Sequence, residues 1–280
     1  MGIAQQEIRV LRYELRPRLL QVTRVVRITP RTTRITLAGD DLDGFQTNDY
    51  ADHVKLCFPE PGAELPTMPT LGERGIVPPP TDGPQPIFRD YTVRRFDPEA
   101  GELDIDFVLH PHGIAGRWAT DAVPGARLGV LGPRGSHLVP NDFDWYLLAG
   151  DETALPAIGR RLAELAELHP TTRVQAFVEV DGPAEEQDLR RPPDTRLTWL
   201  HRDGTEAGGR ELLHEALSAF TTPEAAGYVW VAGEAGDLKP IRRHLRSLGL
   251  NRRHYKVDGY WKRGAVKHDH HVEDDGDAEA

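Results

Sequence analysis

The sequence of 280 residues contains a single cysteine, Cys57. One cysteine excludes an internal disulfide, and it excludes an iron–sulfur cluster, which is usually held by four thiolates. Cys57 lies in the apolar run VKLCF, a context that favours a buried small side chain over a reactive thiol. Any redox chemistry of this chain must therefore come from a bound cofactor.

Long hydrophobic runs are also absent. The run from Trp145 to Ala149 is typical of the longest, whereas a membrane-spanning helix needs roughly 18 apolar residues. The first twenty residues lack the apolar segment and cleavage site of a signal peptide, and Gln6 stands where a myristoylation signal requires Ser or Thr. We therefore expect a cytoplasmic protein without stable membrane insertion.

Positive charge is outnumbered, with 34 Lys and Arg against 44 Asp and Glu and a net charge of −10. Residues 266–280 hold six acids and one lysine, a composition that predicts a disordered acidic tail. The overall balance argues against a nucleic-acid partner. A basic stretch at residues 242–263 is either a solvated helix face or a patch that attracts an anion.

Residues 1–141 are dominated by short β-type runs separated by turn residues. Residues 24–37 alternate Val, Ile and Thr with arginine, the pattern of half-buried antiparallel strands, and further strands are expected at 53–58, 91–96 and 103–109. Many short strands without a long helix predict a small antiparallel β-barrel. Residues 59–88 are rich in Pro and Gly and predict an extended loop, for which a disordered insertion and a functional lid are equally compatible.

From residue 142 onward the pattern alternates between strands and helices. Buried strands are expected at 144–149, 174–180, 197–200 and 228–232, and helices at 155–165, 210–220 and 238–248. This alternation predicts a parallel sheet flanked by helices. The predicted organisation is thus a barrel domain at 1–141, an α/β domain at 142–265 and the tail at 266–280.

Two kinds of segment carry candidate chemistry. The segment RDYTVRR begins a predicted strand, and alternation gives it one face with Arg89, Tyr91 and Val93 and another with Asp90, Thr92 and Arg94. Such a strand suits a flat, phosphorylated ligand, although composition alone favours solvated arginines. Glycine turns at 150–153 and 233–236 each follow a buried strand and precede a helix, where ligands of α/β sheets bind, but by themselves they are a weak signal.

The segment RDYTVRR resembles the R-x-Y-[ST] flavin motif of the ferredoxin-reductase superfamily. Its extended form, R-x-Y-T-x-R, is similar to that of the siderophore-interacting protein family of FAD-dependent ferric-siderophore reductases. Further segments fit that family in the same order: HVKL at 53–56, HGIAGRWA at 112–119, GPRGS at 132–136, GDETALPA at 150–157, WVAGE at 230–234 and GYWKRG at 259–264. The resemblance covers about residues 18–264.

The resemblance implies a cofactor-binding set. On the flavin side the set comprises Arg89 and Arg94 near the FAD pyrophosphate, Tyr91 stacked on the isoalloxazine, Thr92 near its N5, the backbone amides of His112, Gly113 and the helix from Ala115, and the turn from Gly132 to Ser136. On the nicotinamide side it comprises Asp151, Thr153, Gly233 and Glu234. No protein side chain is expected to act as a catalytic group, because the flavin carries the chemistry.

The same resemblance implies a reductase that takes electrons from NADH or NADPH through FAD to a ferric siderophore. Lys55, Arg134 and Arg263 are candidates for binding the acceptor, since a net acidic protein needs local positive charge for an anionic ligand. We expect a monomer without a metal site, and we assign the tail histidines His268, His270 and His271 to solvent.

Alternative functions remain open. They are a general flavin reductase, a ferredoxin-partnered reductase, and a siderophore-binding module without turnover. The donor is also undecided, because Arg190, Arg191, Arg196 and Arg202 could meet a 2′-phosphate whereas Glu179 and Asp181 could reject one.

Overall fold

The computed structural model describes residues 7–110, 113–209 and 211–265. The chain folds into two compact units. The first comprises residues 1–141, 156–164 and 187–190, and the second comprises residues 142–155, 165–186 and 191 onward. His112 and the acidic tail lie outside the described residues.

The first part of the chain is built from short strands and one helix. These elements are β1 Arg9–Arg12, β2 Pro17–Thr29, β3 Thr32–Ala38, β4 His53–Phe58, β5 Thr70–Gly72, β6 Gly75–Val77, β7 Ile87–Thr92, β8 Arg95–Asp97, β9 Glu102–Val108, α1 Ile114–Asp121, β10 Arg127–Leu131 and β11 Gly135–Leu138. Seven of the strands form one sheet in the order β7-β4-β10-β2-β3-β9-β8, and its pairs are antiparallel. The antiparallel sheet that the sequence predicts is therefore confirmed.

Alternation along these strands separates a core face from a polar face. Leucine, isoleucine, valine and phenylalanine side chains of β2, β3, β4, β9 and β10 form one buried cluster. On the other face one row crosses four strands, because Arg24 pairs with Thr36, Thr36 with Asp104, and Asp104 with Arg95. Arg95 is thus a direct cross-strand partner of an acid, and Arg24 reaches the Glu102 carboxylate of β9 at 3.1 Å, so both arginines are paired with acids on this face.

The chain bends between the two edges of this sheet. A single strand was predicted over 91–96, but the structure has β7 and β8 separated by Val93 and Arg94. The Val93 N–H donates to the Asp52 carbonyl at 2.8 Å, and the Arg94 N–H donates to the Asp104 carbonyl at 3.0 Å. The bend arises because this stretch first pairs with β4 and then with β9.

The Pro-rich segment is not an extended loop throughout, since it contains the hairpin of β5 and β6. Cys57 is buried, as predicted, and its thiol donates to the Thr67 carbonyl at 2.9 Å. Burial raises the pKa of this thiol to about 11. A Cβ at Gly129 would lie 2.6 Å from the Met68 sulfur, so glycine at this position lets the segment pack on β10.

The later part of the chain has the predicted alternation of strands and helices. Its elements are β12 Trp145–Gly150, α2 Leu155–Leu168, β13 Arg173–Val180, β14 Thr195–His201, α3 Leu212–Ser218, β15 Gly227–Glu234, α4 Leu238–Ser247 and β16 Tyr255–Trp261. The five strands form a parallel sheet in the order β14-β13-β12-β15-β16, which confirms the predicted sheet type. Among the described residues, no helix combines the length and apolar character that a membrane crossing requires.

Candidate functional site

The register of β4 against β7 fixes the orientation of the RDYTVRR segment. Tyr91 pairs with Val54 and Arg89 with Leu56. Val54 and Leu56 belong to the core, so Arg89 and Tyr91 lie on the core-facing side of β7, as the alternation predicts.

Tyr91 is part of an aromatic group in the first unit. Its ring centroid lies 4.5 Å from that of Phe107 at an interplanar angle of 39°, and the edge of Phe58 approaches at 6.4 Å. Trp118 of α1 contacts both Phe58 and Phe107. Burial raises the pKa of the Tyr91 hydroxyl well above its usual range, so the ring is neutral and available as a flat apolar surface. Trp118 lies in the HGIAGRWA segment, but the sequence did not indicate that it meets Phe58 and Phe107, because the three residues lie on separate elements.

The polar groups of the segment have few internal partners. The Arg89 guanidinium donates to the neighbouring Phe88 carbonyl at 2.6 Å. The Arg94 guanidinium makes no hydrogen bond to any described residue, and its closest acid is Asp106 at 3.7 Å from Nε. Burial lowers the pKa of Arg94, and the nearby Arg34 guanidinium lowers it further. A half-buried cation beside another cation favours a ligand that brings negative charge.

Thr92 and α1 supply further donors in the same unit. Thr92 is buried, and its hydroxyl has no hydrogen-bond partner among the described residues. Helix α1 begins after Gly113, which has a φ of 95° and offers no side-chain cap. Ala115 is buried in the first turn, where backbone N–H groups lack intrahelical acceptors. The beginning of α1 therefore has the free amides that an anion prefers.

The side chain of Ser136, in the turn at 132–136, is bonded to other protein groups. Gly132 adopts a φ of 98° before a cis peptide bond to Pro133. Ser136 is fully buried, and its hydroxyl donates to Asp52 at 2.5 Å and contacts the Tyr13 hydroxyl at 2.6 Å. The Ser136 hydroxyl is thus bonded to Asp52 and Tyr13. If this turn contacts a cofactor, it does so through its backbone atoms.

The acceptor candidates of the first unit differ in their surroundings. The Lys55 ammonium lies 2.9 Å and 3.0 Å from the two carboxylate oxygens of Asp90, its cross-strand partner. Lys55 is therefore a paired cation, 38% exposed. Arg134 is exposed, and its carbonyl accepts the Tyr13 N–H at 2.9 Å.

In the second unit, Asp151 follows β12 and is buried. One carboxylate oxygen accepts from the Thr153 N–H at 2.9 Å and the Thr153 hydroxyl at 2.5 Å, and the other accepts from the Trp261 indole at 2.7 Å. Burial raises the pKa of Asp151 to about 6. A Cβ at Gly233 would lie 2.9 Å from this carboxylate, so the glycine makes room for it. Asp151 thus links the ends of β12 and β16, which makes it a positioning residue.

Glu234 and Arg263 also meet in the second unit. The buried Glu234 carboxylate accepts from the Asp237 N–H at 2.8 Å and from the Arg263 N–H at 2.9 Å. The Arg263 guanidinium donates to the Gly208 carbonyl. The structure brings Asp151, Thr153 and Gly233 together with Trp261. No role was predicted for Trp261 from the sequence. Its position at the end of the last strand is the signal that could have indicated one.

Known proteins match both parts of the chain. Residues 21–137 match the model described as siderophore-interacting FAD-binding domain, and residues 143–264 match the model described as siderophore-interacting protein. The NADPH-dependent ferric-chelate reductase of Escherichia coli is 37% identical over 251 residues, which cover 90% of this chain and 95% of that protein. The ferric vibriobactin reductase of Vibrio cholerae is 33% identical over 262 residues, with coverages of 92% and 93%.

Solved structures agree with these matches. A siderophore utilization protein from T. fusca superposes with a TM-score of 0.89 at 48% identity, over 95% of this chain and all of that one. The ferredoxin reductase in carbazole 1,9a-dioxygenase superposes with a TM-score of 0.63 at 17% identity, over 88% of this chain and 70% of that one. The latter similarity concerns the fold alone, which is that of the ferredoxin reductases.

Proposed function

Because this chain belongs to the siderophore-interacting protein family, we propose that it is an oxidoreductase that reduces ferric siderophores with electrons from NAD(P)H through bound FAD. Bound FAD would accept a hydride from the nicotinamide and deliver single electrons to Fe(III). The siderophore holds Fe(II) less tightly than Fe(III), so reduction releases the metal. The observation that carries the proposal is that the Arg94 guanidinium and the Thr92 hydroxyl, on the segment that contains Tyr91, make no hydrogen bond within the described residues, in a chain whose relatives are named as ferric reductases.

The residues of the first unit fit FAD. Arg94 has a half-buried guanidinium without a hydrogen bond in the described residues, and the Thr92 hydroxyl is equally unpaired. A dinucleotide offers both a pyrophosphate for the cation and polar ring edges for the hydroxyl. The uncapped beginning of α1 adds backbone donors of the kind that bind phosphate. FMN has one phosphate fewer, so these two anion-binding features together favour FAD.

We assign each residue of this group one task. Tyr91 orients the isoalloxazine through its flat face, and Phe107 holds the Tyr91 ring in place from one side. Arg89 and Arg94 bind negative charge, and Thr92 donates to a ring edge. Gly132 approaches the flavin through backbone atoms, whereas the Ser136 hydroxyl maintains the turn through Asp52.

We assign the nicotinamide to the carboxyl ends of the parallel strands. Asp151 and Glu234 are buried there, and their carboxylates hold Trp261 and Arg263 in fixed positions. The Thr153 hydroxyl donates to Asp151 and can still accept a hydrogen bond, and Gly233 leaves the room that the Asp151 carboxylate occupies. This edge is where open α/β sheets bind their ligands.

Several coarser features belong to the same proposal. We propose that the seven-strand sheet closes into a barrel, since β7 and β8 at its two edges are consecutive pieces of one chain segment. Residues 1–141 would form the FAD domain and residues 142–265 the nicotinamide domain. The protein would act as a monomer in the cytoplasm, where nicotinamide donors are available, without requiring ferredoxin.

The test begins with flavin binding. Calorimetric titration of apoprotein should give a tighter dissociation constant for FAD than for FMN. Anaerobic addition of NADH or NADPH should then bleach the flavin spectrum, and a ferric siderophore should restore it while a colorimetric chelator records Fe(II). Tighter binding of FMN would contradict the flavin assignment, and reduction by reduced ferredoxin but by neither nicotinamide would contradict the donor assignment.

A further inference from the structure

Arg202 follows β14 at the carboxyl edge of the parallel sheet, where it could have received a 2′-phosphate. Its side chain is 1% exposed, and its guanidinium donates to both carboxylate oxygens of Glu152 at 2.7 Å each. A third contact of 3.4 Å joins it to Glu179 of β13. One cation therefore faces two acids, and because burial raises the pKa of Glu179 to about 7, this Glu152–Arg202–Glu179 cluster carries less than one unit of surplus negative charge at neutral pH.

A further acid and a hydrogen-bonded histidine lie close to the cluster along the chain. Asp181 comes directly after β13, and the Asp203 N–H donates to its carbonyl at 2.9 Å, so a further acid lies beside the cluster. His201 at the end of β14 is bonded to Glu186 at 2.9 Å. Arg196 lies at the amino end of the parallel strand β14, and hence at the opposite edge of the sheet. Arg196 is thereby removed from the candidates for binding a 2′-phosphate.

We propose that the Glu152–Arg202–Glu179 cluster makes this chain select NADH over NADPH, an inference that rests on the proposed function. A carboxylate at this edge accepts a hydrogen bond from a ribose hydroxyl, whereas a phosphate in place of that hydroxyl requires an available arginine. Here the arginine is already held by two carboxylates, and the net charge repels a dianion. The chain would thus differ in its donor from the relative that is named for NADPH.

The primary experiment needs no variant. FAD-loaded protein is titrated calorimetrically with ADP-ribose and with 2′-phospho-ADP-ribose, which lack the nicotinamide and so report binding alone. ADP-ribose should bind at least about ten-fold more tightly, and the ratio should shrink as salt screens the repulsion. Equal or tighter binding of the 2′-phosphorylated fragment would overturn the proposal. If Arg191→Ala then abolished that binding, the exposed Arg191 would be the actual phosphate ligand.

A variant isolates the cluster as the cause. Glu152→Gln combined with Glu179→Gln keeps the shapes of both side chains but leaves Arg202 with its full charge, so the preference for ADP-ribose should fall several-fold or invert. Glu215→Gln, which removes one carboxylate from an exposed position of α3, serves as the control and should keep the wild-type ratio. An unchanged ratio in the folded double variant would overturn the proposal. If neither fragment binds and neither NADH nor NADPH reduces the flavin, the nicotinamide assignment itself fails.

Discussion

Replacing Gly233 by alanine should damage the second unit through Asp151. The added Cβ would lie 2.9 Å from the Asp151 carboxylate, closer than real Cβ contacts allow, so the carboxylate must move. That movement breaks the 2.7 Å bond from Trp261, and a hydrogen bond to a charged group contributes about 1.5–3 kcal/mol. Crowding in a buried position costs about 1–3 kcal/mol, and the two effects overlap. We therefore expect a loss of about 2–4 kcal/mol in the free energy of unfolding.

Urea denaturation followed by tryptophan fluorescence measures this loss, and Trp261 reports the change locally through near-ultraviolet circular dichroism. The control is Gly182→Ala, because a Cβ there meets no atom within 4 Å and the backbone is extended. FAD content should be retained, since the assigned flavin residues lie in the first unit. In an Asp151→Ala background, Gly233→Ala should cost less, because the opposing carboxylate is gone and only the strain of the positive φ of 157° remains. Equal costs in the two backgrounds would refute the steric explanation.

Three further outcomes are expected. Tyr91→Ala should weaken FAD binding by about 5- to 150-fold, taking a lost stacking contact as about 1–3 kcal/mol, and wild-type affinity in calorimetry would contradict the assignment. Asp90→Asn should release Lys55 from its ion pair and raise kcat/KM for an anionic ferric siderophore at low salt. Lys55→Gln should lower kcat/KM and leave the rate of flavin reduction by the donor unchanged. Stopped-flow measurement of both half-reactions decides between these outcomes and no effect. Asp49 is buried in the first unit, and burial raises its pKa from 3.8 to about 7. The contribution of Asp49 to stability is therefore lost as the pH rises from about 4 to about 7. Asp49→Asn should flatten the decline in the urea midpoint over that pH range.

The sequence was informative wherever structure depends on local periodicity. The predicted strand 53–58 coincides with β4, and the alternation from residue 142 onward indicated the sheet type. The bend at Val93 was missed because it depends on two partner strands distant in the chain. The pairing of Lys55 with Asp90 was missed for a related reason, since it follows from the register of β4 against β7.

The candidate site was predictable to a smaller extent. The family motifs identified the segments, but they did not distinguish side chains that face a ligand from side chains that support the fold. Ser136 and Asp151 both belong to motifs, yet their polar atoms are bonded to other protein groups. The partners of Asp151 include Trp261, more than a hundred residues away, and no local pattern encodes such a contact.

The position of β10 in its sheet has a consequence for biosynthesis. This strand pairs with both β2 and β4, so Leu128 meets Leu20 across more than a hundred residues of chain. Such non-local pairing slows folding, and β10 is the last strand of the sheet to leave the ribosome. The segment that contains Tyr91 is synthesised some forty residues earlier, but β4 beside it lacks its other neighbour until β10 arrives. A nascent chain should therefore acquire flavin only after β10 has emerged, and chains arrested upstream of residue 127 should remain colourless.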